Sequence, residues 1–137
     1  MINSRKIEDL HPKVAEKCRK FIELCDAQGI DILITSTYRD GESQNALYAQ
    51  GRTTPGKIVT NAKAGQSFHN WRVAFDFVPL RNGKPAWDDA DLFTKCGEIG
   101  ESIGLEWAGR WTKFREYPHF QFTNGLKLMD FQSGKSF

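Results

Sequence analysis

Two short segments, Ser67-Phe68-His69-Asn70-Trp71-Arg72-Val73-Ala74-Phe75-Asp76 and Glu116-Tyr117-Pro118-His119, together carry two imidazoles and two carboxylates. Two histidines and one carboxylate leave the fourth corner of a tetrahedral zinc shell open. Water in such a corner becomes a hydroxide-like nucleophile near neutral pH. The pattern points to metal-assisted hydrolysis, with a second carboxylate to move the proton. Either histidine alone is more often a hydrogen-bonded structural residue. The company they keep reverses that balance, because Asp76 lies in a run of Val, Ala and Phe. Burying a carboxylate there costs several kcal/mol unless a cation or donors compensate it. A salt bridge from Asp76 to an arginine is the alternative.

The elements that must position these groups are legible from periodicity. Lys13 to Gln28 places Val14, Cys18, Phe21, Ile22 and Cys25 at helical spacing, with Pro12 near the first turn and Gly29 as a stop. Ile30 to Thr35 reads as a short buried strand, and Asp40 caps a second helix over Gly41 to Gln50. Residues 52 to 66 form a long irregular loop of the kind that often lines a site. Val73 to Pro79 is the next strand, and Asn82-Gly83 marks a turn. Asp88 and Asp89 open a third helix carrying Leu92, Phe93, Cys96, Ile99 and Ile103, closed by Gly104. Leu105 to Ala108 and His119 to Thr123 are the last strands, separated by a Trp-rich loop.

The Asn-Gly turn and the close spacing of the later strands favour antiparallel pairing. The expected class is α+β: a small antiparallel sheet flanked by about three helices, with the metal site on the polar sheet face. Alternation puts Ala74, Asp76 and Val78 on one face and Phe75 and Phe77 on the other; His119 and Gln121 likewise oppose Phe120 and Phe122. His69 precedes Asp76 by seven residues, an odd separation, so the chain must bend between Asn70 and Arg72 for both to reach one ion. Pro118 blocks a helical turn through Glu116 and His119, which leaves Glu116 on the rim.

Around this centre, Arg39 follows a strand end where a guanidinium can clamp a substrate oxygen; an ion pair with Asp40 or Glu42 is the equal alternative. Trp71, Trp107 and Trp111 either wall a cleft or pack in the core. Ser67 can hydrogen-bond to substrate or to a ligand, but no nucleophile-elbow sequence surrounds it.

Composition bounds the rest. With 137 residues, 39% hydrophobic and 26% charged, the chain fits a single domain over 1–137 in which 123–137 is a short C-terminal tail. A net charge of +2 argues against a dedicated nucleic-acid binder. Cys18, Cys25 and Cys96 are odd in number and lack ligand spacing, consistent with reduced thiols and synthesis in the cytoplasm. The amino terminus shows no signal sequence, and no apolar run implies membrane insertion.

Joined together, Ser-x-His-x6-Asp, the downstream acidic-x-x-His and the upstream Ser-x-Tyr-Arg resemble the zinc peptidases of bacterial cell-wall peptides. That group spans D-alanyl-D-alanine carboxypeptidases, vancomycin-resistance dipeptidases and L-alanyl-D-glutamate endopeptidases. Ser36-Thr37-Tyr38-Arg39 with Gln44, Leu47 to Thr53, Pro55-Gly56-Lys57 and Pro118-His119-Phe120-Gln121 are most similar to the last branch, which includes phage endolysins and related autolysins. The resemblance implies a hedgehog/DD-peptidase-like fold and one catalytic Zn2+ held by His69, Asp76 and His119. It assigns Glu116 as the base and Arg39 as the oxyanion partner. Ser67 and Gln44 become pocket supports, with Tyr38, Trp71 and Trp107 as further substrate or supporting candidates. Arg72 stands where many relatives have Gly, which bears on the loop between the first two ligands, and Glu116 stands where Asp is frequent. The implied substrate is the L-alanyl-D-glutamate bond of peptidoglycan stem peptides, cut by a monomer that reaches the wall through a holin-type membrane lesion. A D-alanyl-D-alanine carboxypeptidase, a non-catalytic zinc-containing peptidoglycan-binding module and, more remotely, a metal nuclease are the competing readings.

Overall fold

Val14, Cys18, Phe21 and Cys25 recur at a spacing of three or four and become the buried stripe of α1 (Pro12–Ala27), which His11 caps by accepting from Lys13 N at 3.1 Å. The computed structural model describes Met1–Phe137. After α1 come β1 (Asp31–Ser36), α2 (Gly41–Ala49), β2 (Ala74–Arg81), β3 (Lys84–Pro85), α3 (Ala90–Glu101), β4 (Glu106–Trp107), β5 (His119–Gln121) and α4 (Leu128–Gln132). The class is α+β, as expected. All strand pairings are antiparallel, in the order β1-β2-β5-β4, with β3 folded back on β2. The β2–β3 turn has positive φ at both Asn82 and Gly83, the backbone that an Asn-Gly hairpin favours.

Differences from the sequence expectations are mostly at element ends. The strand expected over Leu105 to Ala108 is only Glu106–Trp107, because the chain turns into a 3₁₀ helix at Ala108–Arg110. Residues 123–137 do more than trail: α4 puts Phe131 into the core at 3% exposure, against Phe68, Trp71 and Phe137.

The sheet separates two chemistries by alternation. On one face Phe75, Phe77 and Phe120 meet Phe21 of α1 with ring centroids 4.8 to 6.2 Å apart, a fully buried aromatic cluster. On the other face Asp76 of β2 lies opposite Ser36 of β1 and His119 of β5. Helix α3 closes over the aromatic side. A Cβ on its Gly97 would sit 2.2 Å from the Trp107 indole, so only glycine allows that approach. Trp107 is therefore core, 2% exposed, with Nε1 donating to Tyr117 O at 2.8 Å. Cys18, Cys25 and Cys96 are free thiols in the same core.

Candidate metal centre

Bringing His69 to the Asp76 face requires the expected bend, and the chain makes it with a 3₁₀ turn over Phe68–Trp71. Ser67 Oγ accepts from His69 N at 3.3 Å, and Asn70 Oδ1 accepts from Ser67 N at 3.1 Å, a reciprocal capping box at the start of the turn. Arg72 then adopts φ 65°, left-handed backbone that glycine would enter freely. Its guanidinium lies over the Tyr38 ring, 3.8 Å from the centroid, and donates to Asp9 O at 2.8 Å. These contacts hold Arg72 in that conformation. The turn is tied to the end of β1 by Arg39 N donating to His69 O (3.1 Å) and Asn70 Nδ2 donating to Arg39 O (2.9 Å).

His69, Asp76 and His119 converge: one ligand atom from each lies within 4.8 Å of the others. His69 Nε2 and His119 Nδ1 each lie 3.2 Å from Asp76 Oδ1. The remaining ring nitrogens also face oxygens, His69 Nδ1 at 2.9 Å from Thr37 O and His119 Nε2 at 2.9 Å from Gln121 Oε1. Gln121 cannot usefully flip its amide, because its Nε2 donates to Glu106 Oε2 at 3.3 Å.

Four ring nitrogens thus point at acceptors, whereas two neutral imidazoles supply only two N–H groups. Either both rings carry a proton too many, or a cation belongs between Nε2, Nδ1 and Asp76. The donor set, two imidazoles and a carboxylate with the outer nitrogens anchored, fits a zinc-like ion. Without one, the charges are shared among the side chains. Burial would raise the Asp76 pKa, but the charge of His69 and the hydrogen bonds from both histidines hold it well below the carboxylate range. Burial would lower the His119 pKa, yet its hydrogen bond to Asp76 and the charges of Asp76 and Glu116 raise it. Asp76 makes no ion pair with an arginine.

Glu116 stands on the rim with half its side chain exposed, Oε2 3.7 Å from His119 Nδ1. It lines a cavity of about 310 Å³ together with Arg39, Ser67, His69, Asp76 and His119. Arg39 makes no ion pair with Asp40, which instead caps α2 by accepting from Ser43 N at 2.8 Å. Its Nη1 donates to Gln44 Oε1 (3.0 Å) and its Nη2 to Ser36 Oγ (3.2 Å), while Nε is buried without a partner. Fully buried Gln44 completes that clamp, donating to Ala62 O of the long loop at 2.8 Å. Such an arrangement can polarise a carbonyl and move a proton in one place.

Not every candidate reaches the cavity. Tyr38 is under Arg72, Trp107 is in the core, and Trp71 donates to Gly65 O at 3.0 Å while stacking on Phe131. Trp111 is nearer, its ring centroid 5.6 Å from that of His119. Sequence alone does not mark Thr37 and Gln121 as anchors of the imidazoles. The available signal was that Gln121 shares the strand face of His119; nothing in sequence marks the Thr37 carbonyl.

A family model described as D-alanyl-D-alanine carboxypeptidase matches residues 60–122. Over 122 residues the chain is 38% identical to the peptidoglycan L-alanyl-D-glutamate endopeptidase CwlK of Bacillus subtilis (strain 168), covering 82% of this chain and 73% of the relative. Over 124 residues it is 30% identical to the L-alanyl-D-glutamate peptidase of Listeria phage A118, covering 89% of this chain but only 40% of the phage protein. The crystal structure of the Serratia marcescens L-Ala D-Glu endopeptidase ChiX shares the fold, with a TM-score of 0.66 at 18% identity over 91% of this chain and 86% of that one. By its identity to the Bacillus subtilis endopeptidase across most of both sequences, this chain belongs to the M15 family of peptidases.

Proposed function

We propose that this protein is a zinc-dependent peptidoglycan peptidase that hydrolyses the L-alanyl-D-glutamate bond of stem peptides. The observation that carries the reading is the convergence of His69, Asp76 and His119 beside Glu116, in a chain related to enzymes named for that bond.

His69 Nε2, His119 Nδ1 and an Asp76 oxygen would hold the ion, with Thr37 O and Gln121 Oε1 fixing the ring orientations. Zinc bound there supplies a water of lowered pKa and Lewis-acid polarisation of the carbonyl. Glu116 accepts the proton of the attacking water and delivers it to the amide nitrogen as the C–N bond breaks. The products are a new L-alanyl carboxylate and a free D-glutamyl amine. Arg39, held by Gln44 and Ser36, presents positive charge to the oxygen that becomes anionic. The chain has no helix long and apolar enough to cross a membrane. We infer that it works on the wall as a monomer, reaching it through a lesion of the holin type.

The test is digestion of purified peptidoglycan by zinc-loaded protein, with product masses and a chelated control. New amino-terminal D-glutamate that disappears with chelator and returns with zinc is the expected result. The description of the matching family model favours a second reading, carboxypeptidase action; release of terminal D-alanine alone would establish it. Persistent wall binding with no new amine ends would mark a binding module.

A further inference from the structure

Beside the metal centre the chain exposes apolar surface that folding does not require. Ile58, Val59 and Phe114 are 57%, 53% and 74% exposed, and with Trp111 they wall a groove of about 530 Å³ that ends at Glu116. Val59, Thr60 and Glu116 line both this groove and the cavity over the metal site, so the two are continuous. Exposed apolar patches of this kind mark binding surfaces.

Both walls are held in place. On one side Gln50 Nε2 donates to Lys57 O (2.9 Å) and Arg52 Nη1 to Thr60 O (3.0 Å). On the other, Trp111 Nε1 donates to Glu106 Oε2 at 3.0 Å. Phe114 is held at φ 53°, backbone that a bulky residue rarely adopts and that is typically retained where a site needs it. Across Glu116 lies a second groove, of about 410 Å³, with a different, charged character: Arg115 and Trp87 line it together with the carboxylates of Asp76 and Glu116.

The substrate has a matching asymmetry about its scissile bond. On the acyl side stand the L-alanine methyl, a lactyl ether and an N-acetylated pyranose, all uncharged, with C–H faces suited to aromatic contact. On the amine side stands D-glutamate with a free α-carboxylate, followed by further charged groups. Apart from Glu116, the lining of the first groove carries no charge. The second offers the Arg115 guanidinium, and the ion proposed between the histidines would offset the Asp76 carboxylate that also lines it.

We propose that the groove walled by Ile58, Val59, Trp111 and Phe114 is the subsite for the N-acetylmuramoyl end of the substrate, so that the enzyme selects glycan-linked stem peptides over free ones. This rests on the L-alanyl-D-glutamate reading and goes beyond it by fixing the direction in which substrate lies across Glu116.

Two measurements test it. The first compares kcat/KM for N-acetylmuramoyl-L-alanyl-D-glutamyl peptides with that for the N-acetyl-L-alanyl analogues. The second is calorimetric binding of N-acetylmuramoyl-L-alanine against N-acetyl-L-alanine. In the unmodified protein both should favour the muramoyl compound by about tenfold or more, the size expected for burying one sugar face on aromatic carbon. Phe114→Gly, which suits the backbone and removes the ring, and Ile58→Ser should bring both ratios close to unity. Met129→Ala, an equally exposed apolar residue on α4, should leave the ratios high. Absence of a muramoyl preference in the unmodified protein, or its survival in Phe114→Gly, overturns the proposal. Muramoyl-selective binding that depends on Phe114, without hydrolysis of either substrate, would support the subsite and sink the peptidase reading.

Discussion

At the floor of the cleft every ring nitrogen of His69 and His119 faces a fixed oxygen, and Asp76 and His119 sit opposite each other in register on adjacent strands. At its rim Ile58, Val59, Phe114 and Glu116 stand on chain without helix or strand, tied down by scattered bonds such as Gln50 Nε2 to Lys57 O, Arg52 Nη1 to Thr60 O and Glu116 N to Ala108 O. The floor offers one arrangement of groups, fixed by its own hydrogen bonds. The rim presents apolar surface and one carboxylate to whatever arrives. Two of the three candidate ligands therefore belong to the sheet and the third to a turn capped against it, whereas the proposed base and the apolar walls belong to loops, so substitutions in the two regions should fail in different ways.

The largest split should come from Glu116, a rim residue with a floor-like role. Glu116→Gln is expected to lower turnover by roughly 10²- to 10⁴-fold, the usual worth of general acid–base help, while zinc content stays unchanged. Turnover assays paired with metal analysis check this. Full activity in Glu116→Gln would move the base elsewhere.

Gln121→Leu removes an anchor without removing a ligand. Loss of such a partner typically costs about 10- to 100-fold in metal affinity, readable by competition with a chelating dye. An unchanged affinity would mean that the strand alone orients His119.

A pH experiment sharpens the same contrast. Without metal, the raised pKa of His119 means that its protonated form contributes stability, present below the ordinary 6.5 and lost as pH rises through the higher folded value. The depressed Asp76 carboxyl acts oppositely: its contribution is present above the ordinary 3.8 and lost as pH falls toward the folded value. The chelated protein should therefore be most stable in mildly acidic solution and lose Tm as pH climbs past neutrality. The zinc-loaded protein should not, because metal binding needs neutral imidazole. Parallel Tm-against-pH curves for the two forms would refute the proton-for-metal exchange.

Arg72→Gly should matter least. Glycine accepts the φ of 65° more readily, but the substitution gives up the contacts with Tyr38 and Asp9, so opposing effects leave stability within about 1 kcal/mol and zinc content unchanged. Denaturant unfolding with metal analysis tests it.

Sequence disclosed the floor better than the rim. Alternation in Ala74 to Val78 and in His119 to Phe122 assigns each side chain a face, since extended backbone leaves no other choice. The odd spacing of His69 and Asp76 demanded the bend that the 3₁₀ turn supplies. Periodicity carries nothing comparable for the loop walls, where position depends on bonds such as Gln44 Nε2 to Ala62 O across eighteen residues. It left Trp107 open between cleft and core, a choice settled by the absence of a side chain at Gly97, and was silent on α4, five residues whose single buried anchor, Phe131, makes no pattern. Thr37 contributes through its carbonyl, which any residue would possess.

The most direct test of the central claim is zinc content per chain after exhaustive dialysis, measured on the unmodified protein and on Asp76→Ala and His119→Ala, with circular dichroism to verify folding. The unmodified protein should retain about one zinc, and each folded variant should retain almost none, since a structural or catalytic tetrahedral site does not survive with two protein ligands. Undiminished zinc in folded Asp76→Ala and His119→Ala would contradict the account.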